Sequence, residues 1–194
     1  MRLAVINCKK TKKDHPCAVS EMYEGSSLFR SQMAVIQALY KGEWALISTE
    51  YGVVMPTDII APYDTTIYFP SVSIKEYLGE SKFVSTEAKR KEWGAKVASS
   101  PIWQDTQYEG IDCWLSDLYW VNIFRQLHPA VPIRWVRPVV TGRGLGPAIR
   151  ANKEIATLMS PSVIGPRMGF EQLLQQHLIY IAAEVLPKPN EVHI

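Results

Sequence analysis

Short, mostly apolar runs, two of them holding a single charged residue, alternate along the chain with longer stretches in which apolar residues recur every three or four positions. Leu3-Ala4-Val5-Ile6, Trp44-Ala45-Leu46-Ile47, Ile111–Leu115 and Ile133–Val136 are runs of the first kind, and Val139-Val140 continues the last one past Pro138. Runs this short, apolar rather than alternating, predict strands covered on both faces. Phe29, Met33, Ile36 and Tyr40 share one helical face and predict a helix from a Ser26-Ser27 cap to about Tyr40, stopped by Gly42. Trp93 and Val97 mark the inner face of a helix from Ser85 to about Ser99, and Trp120, Phe124 and Leu127 that of a helix capped by Ser116. Pro147 suits the first turn of a further helix with Ala148, Ala151, Ile155 and Leu158 inward. Phe170, Leu174, Leu178, Ile181 and Val185 predict a last helix over Met168–Val185, whereas Tyr68–Glu80 has no clear period. Strands alternating with helices predict an α/β fold: a three-layer sandwich around a mostly parallel central sheet of about four strands. With no repeat or linker in view, the expectation is one domain over residues 1–186 and a loose tail from 187 to 194.

One stretch escapes both periods. Ser48–Ile67 follows the second apolar run and carries Glu50, Tyr51, Gly52, Pro56, Asp58, Pro62, Tyr63 and Asp64. Its prolines and glycine forbid a plain helix or a plain strand. A stiff loop at a strand end holds carboxylates and phenols in fixed positions, so it is either one wall of an active site or a rigid crossover with buried tyrosines.

Charge changes the picture only locally. A net charge of +2 on 194 residues does not by itself indicate a nucleic-acid partner. Lys9, Lys10, Lys12 and Lys13, however, crowd the end of the first predicted strand, where an open α/β sheet places its ligands. They read as a phosphate site or as a solvated loop. Gly142-Arg143-Gly144-Leu145-Gly146, between the fourth strand and its helix, forms a second candidate anion site or a tight turn for close packing. Its glycine spacing fits neither the dinucleotide fingerprint nor the P-loop, so no nucleotide cofactor is expected. Cys8, Cys17 and Cys113 form no CxxC, and His15, His128, His177 and His193 are scattered; no metal is expected. No apolar run is long enough to span a membrane and no leader pattern is visible, which points to the cytoplasm. Six tryptophans and nine tyrosines supply core, or surfaces on which bases stack.

Tyr51-Gly52, then Pro56, Asp58 and Pro62-Tyr63, resembles the corresponding motif of the YaaA-like peroxide-stress family. Residues 1–156 are still more similar to a bacterial and phage group of small YaaA-like domains. That similarity is carried by Cys8, Lys10 and Lys12, by Tyr23 and Ser26–Arg30, by the Tyr51–Asp64 loop, by Arg90–Val97 and by Gly144-Leu145-Gly146. The resemblance implies a fold of the uracil-DNA-glycosylase class and DNA as partner. It extends to anti-phage DNA glycosylases that remove glucosylated hydroxymethylcytosine. One departure stands out: where that class carries a water-activating Asp after its first strand, this chain has Asn7-Cys8-Lys9-Lys10.

On that reading the carboxylate that stabilises an oxocarbenium-like sugar and orients water is Asp58 first and Asp64 second, with Glu50 in reserve. Asn7 or Tyr51 would donate to the departing base, and Tyr51, Tyr63 and Cys8 would line its pocket. Lys10, Lys12, Lys13, Gly142, Arg143, Gly144 and Gly146 would hold flanking phosphates of a DNA bound by a monomer. Each has a duller role: Asp58 as acceptor for local N–H groups, Asn7 as a loop tie, Cys8 as a small buried residue. Two other functions fit the same residues: a non-catalytic DNA-binding stress protein, and an enzyme acting on a nucleotide or nucleobase.

Overall fold

The computed structural model describes residues 1–67, 82–84, 87–138, 145–158 and 178–182. Its elements are β1 (Arg2–Asn7), β2 (Cys17–Ala18), α1 (Val19–Met22), α2 (Ser27–Tyr40), β3 (Trp44–Ser48), β4 (Gly52–Val54), β5 (Ile59–Ile60), β6 (Thr65–Ile67) and β7 (Lys82–Val84). There follow α3 (Glu87–Ala98), β8 (Gly110–Trp114), α4 (Asp117–Ile123), β9 (Ile133–Pro138), α5 (Leu145–Leu158) and β10 (Leu178–Ala182).

Among the described residues the main sheet has the order β10-β9-β8-β1-β3-β4. β9, β8, β1 and β3 run parallel, and β4 and β10 are antiparallel edges. The expected mostly parallel α/β sheet is therefore present, with two edge strands beyond the four anticipated. β1 is its centre: Val5 lies opposite both Ala45 and Cys113, and Leu3 to Ile6 are fully buried. Helices cover both faces. On one face, Phe29 of α2 meets Trp44 at 5.8 Å and Tyr40 meets Trp114 at 6.3 Å, and α5 packs against α2. On the other, Trp120 of α4 stacks on Trp135 at 5.7 Å, and α3 packs against α4. Gly94 makes that second pair possible, because a Cβ there would run into the Asn122 carbonyl.

A carboxylate sits inside the sheet. Asp112 in β8 accepts from Arg2 at 2.6 and 2.8 Å, from Arg134 at 2.7 and 2.9 Å, and from the Tyr40 hydroxyl at 3.0 Å. A carboxylate that is 1% exposed is tolerable only with such complete pairing, and here it ties β1, β8, β9 and α2 together.

Several expectations change. The helix predicted over Met168–Val185 is not continuous: Leu178–Ala182 is β10, paired antiparallel with β9. Leu-Ile-Tyr-Ile is a short apolar run rich in strand formers, and the open edge of β9 offers it a hydrogen-bonding partner that a local helical period does not reveal. α2 begins as expected, with the Ser26 hydroxyl accepting from the Phe29 N–H, but ends at Lys41 in the left-handed region, one residue before Gly42. Ser116 precedes α4 without a side-chain cap bond. α4 itself stops at Ile123, so Phe124 lies in a 3-10 turn and Leu127 follows it. Tyr68–Glu80, Val139-Val140 and residues 183–194 lie outside the described residues, as does the Ser85 start of α3.

Candidate active site

The Ser48–Ile67 stretch leaves the carboxyl end of β3 and is held as three short strands, each paired differently. The Ser48 hydroxyl accepts from the N–H groups of Glu50 (3.1 Å) and Tyr51 (3.0 Å), which turns the chain back on itself. Gly52, at φ 81°, completes the turn into β4, which pairs with β3. β5 pairs with β2, and β6 with β7. The backbone is thereby pinned at both flanks. Trp93 donates to the Ser48 carbonyl (3.1 Å) and Lys96 to that of Glu50 (2.8 Å). Thr49 donates to the Thr65 carbonyl, and Thr65 to the Glu50 carboxylate.

This stretch faces the loop that follows β1. Cys8 is the hub: its Sγ lies 3.1 Å from the Tyr119 hydroxyl and 3.9 Å from that of Thr49. The Tyr23 and Tyr63 hydroxyls share a 2.8 Å hydrogen bond. Burial, and next the neighbouring Cys8 thiol, raise the Tyr23, Tyr63 and Tyr119 phenols well above their ordinary value. All three stay protonated at neutral pH, and the Tyr23–Tyr63 bond uses one of that pair's two hydroxyl hydrogens. The Lys12 ammonium sits 4.3 Å from the centre of the Tyr63 ring and 6.0 Å from that of Tyr23. Tyr51, 37% exposed, meets the Tyr63 ring edge-on at 5.5 Å and donates to the Ala61 carbonyl.

The two candidate carboxylates differ in kind. Asp58 accepts from the Met55 N–H at 2.7 Å, and its own N–H donates back to the Met55 carbonyl at 3.1 Å. It closes an exposed turn, the local role that its sequence context also allowed. Asp64 is exposed, and among the described residues no hydrogen bond or ion pair engages it. It lies near enough to Lys12 to favour that amine's charged form, against the stronger effect of burial, which lowers the Lys12 pKa.

Asn7 ties the loop: its Oδ1 accepts from the Ser116 N–H (3.3 Å) and its Nδ2 donates to the Cys8 carbonyl (3.1 Å), leaving one amide hydrogen over. The lysines part company. Lys13 is paired with Glu21 (3.6 Å) and Glu24 (3.3 Å), Lys10 is exposed, and Lys12 lies over the tyrosines. Gly142, Arg143 and Gly144 lie outside the described residues, while Gly146 is exposed in the first turn of α5. The lysine loop and the Tyr51–Asp64 stretch are thus brought together, whereas among the described residues nothing lies within 4 Å of where a Cβ on Gly146 would sit.

Residues 3–132 match the model of a family of unknown function, DUF6884. The chain belongs to DUF6884. No curated protein and no solved structure matches it. The DUF6884 span contains every side chain of this cluster and ends before β9. Among the described residues of this DUF6884 protein, no group of three or more His, Cys, Asp or Glu is placed to hold a metal ion, and no helix is long and apolar enough to cross a membrane.

Sequence reasoning passed over three members of the site. Tyr119 sits among core residues of α4 and carries no local signal; only the sheet brings it to Cys8. Thr49 reads as a loop residue but is buried beneath Thr65. Lys9 was indistinguishable from its basic neighbours, yet it is the buried one, at 8% exposure. Its ammonium donates to the Asn7 carbonyl at 2.7 Å, and burial pulls its pKa down to about 8.

Proposed function

We propose that this protein is a DNA glycosylase of the uracil-DNA-glycosylase-like fold class, which flips out a modified base and hydrolyses its N-glycosidic bond. The observation that carries the reading is Asp64: an exposed, unengaged carboxylate on a pinned loop, next to a tyrosine pair and a lysine at the carboxyl end of a parallel sheet. A flipped base stacks against the Tyr51–Tyr63 pair, and Lys12 meets the phosphate beside it. Asp64 stabilises the positive charge that grows on the sugar as the bond breaks and orients the attacking water. The neutral Tyr63 phenol and the spare Asn7 amide hydrogen face the negative charge that builds on the leaving base. Of the two carboxylates, Asp64 takes the catalytic role and Asp58 the role of shaping the loop.

The resemblance to YaaA-like domains and anti-phage glycosylases supplies the substrate: glucosylated hydroxymethylcytosine in phage DNA, attacked in the cytoplasm by a monomer in antiviral defence. The test is mass spectrometry of bases released from a panel of modified phage DNAs. Wild type and Asp58→Asn, which keeps an acceptor for Met55, release the base; Asp64→Asn does not. Full release by Asp64→Asn would remove the catalytic assignment. Salt-sensitive DNA binding with no release from any DNA would favour a non-catalytic DNA-binding protein. Stabilisation by free nucleotides but not by DNA would favour a nucleotide-processing enzyme.

A further inference from the structure

Lys9 is an anomaly for a structural lysine. It is nine-tenths buried, and among the described residues no carboxylate pairs with it; the Asn7 carbonyl is its partner. Buried lysines that only support a fold are ordinarily neutralised by an acid, because an unpaired ammonium in the interior is costly. Its neighbours do not share this state: Lys13 is held by two glutamates, and Lys12 lies over an aromatic ring beside Asp64. Lys9 sits just past the carboxyl end of β1, next in the chain to Cys8, the hub of the side-chain cluster. Burial also makes the free amine accessible near neutral pH, which is the state a nucleophilic lysine needs.

We propose that Lys9 is the nucleophile of a second, DNA-lyase step, in which its amine forms a Schiff base with C1′ of the abasic deoxyribose. The proposal rests on the glycosylase reading for the origin of that abasic sugar. The amine nitrogen adds to C1′ of the open-chain aldehyde, a C–N bond forms, and the carbonyl oxygen leaves as water after taking up protons. The resulting iminium acidifies C2′. Its proton passes to water, the C3′–O bond breaks, and the 3′ phosphate departs with the electron pair. Water then hydrolyses the imine, which returns the Lys9 amine and releases an unsaturated sugar aldehyde on the cut strand. No oxidant, reductant or cofactor enters this balance.

The experiment uses the full chain and a duplex oligonucleotide with one abasic site made by uracil removal, reduced with sodium borohydride during incubation. The expected result is a covalent protein–DNA adduct that peptide mass spectrometry maps to Lys9 and that Lys9→Met abolishes. An adduct mapped to another amine, or undiminished in Lys9→Met, overturns the proposal. Base release from glucosylated phage DNA is measured in parallel. Release without an adduct overturns the lyase step and leaves the glycosylase standing. A Lys9 adduct without release upholds the lysine chemistry and overturns the glycosylase reading. Absence of both overturns both.

Discussion

Replacing Lys9 by methionine should make the protein more stable. The substitution keeps an unbranched side chain one atom shorter and removes an ammonium that the fold buries. The Lys9 pKa falls from 10.5 to about 8 on burial, which at about 1.4 kcal/mol per unit makes the charged amine roughly 3 kcal/mol costlier in the folded than in the unfolded chain. Loss of the hydrogen bond to the Asn7 carbonyl offsets about 1–2 kcal/mol of this, so a net gain of about 1–2 kcal/mol is expected at neutral pH. For a domain of this size that corresponds to roughly 2–8 °C in Tm. The pH dependence gives the prediction its sharper form. Below pH 8 the amine is charged in both states and wild type carries the full penalty. Between about 8 and 10.5 the folded protein has released this proton while the unfolded chain still binds it, so wild-type stability rises with pH. The advantage of Lys9→Met therefore fades across that interval and, once the penalty is gone, reverses by the roughly 1–2 kcal/mol of the lost hydrogen bond. Urea unfolding of both proteins at a series of pH values measures the difference. A variant less stable than wild type by the same amount at every pH would refute the reasoning, because it would mean that the ammonium is not penalised where it sits. A stabilising replacement at this position would also fit a residue kept for its chemistry at the expense of the fold.

Two further outcomes follow from the charges that the fold pairs. Asp112→Ala leaves Arg2 and Arg134 facing each other and the Tyr40 hydroxyl without this acceptor; a loss of about 3 kcal/mol is expected in urea unfolding, and Asp112→Asn, which still accepts, should lose less. In DNA-binding titrations against salt, Lys12→Ala should lower the slope of log affinity by about 1, whereas Lys13→Ala, whose charge Glu21 and Glu24 already balance, should change it less.

Leu3–Ile6 and Trp44–Ile47 identify buried parallel strands because an uninterrupted apolar run has no solvent face to serve. The helical faces through Phe29 and Ile36, and through Trp93 and Val97, were likewise fixed by local periodicity. β10 was not, because its partner is the edge of β9, and a strand added to an edge depends on a pairing forty residues away in the chain.

The site divides along the same line. Composition and spacing alone placed carboxylates, phenols and lysines at the ends of β1 and β3, since a turn rich in proline and glycine after a buried strand is a local property. Which of them matter is not local. The sequence ranks Asp58 ahead of Asp64, yet it is the Asp58 carboxylate that the Met55 N–H engages, while Asp64 is left unengaged among the described residues. Lys9, Lys12 and Lys13 are one basic cluster in the sequence; burial, an aromatic ring and two glutamates make them three different groups. Tyr119 reaches Cys8 only because the sheet sets β8 beside β1. Residue type determines what a side chain can do, and sequence determines which local structure carries it. Burial and partners determine which protonation state and which free lone pair are left for work, and both are properties of neighbours that only tertiary contact supplies.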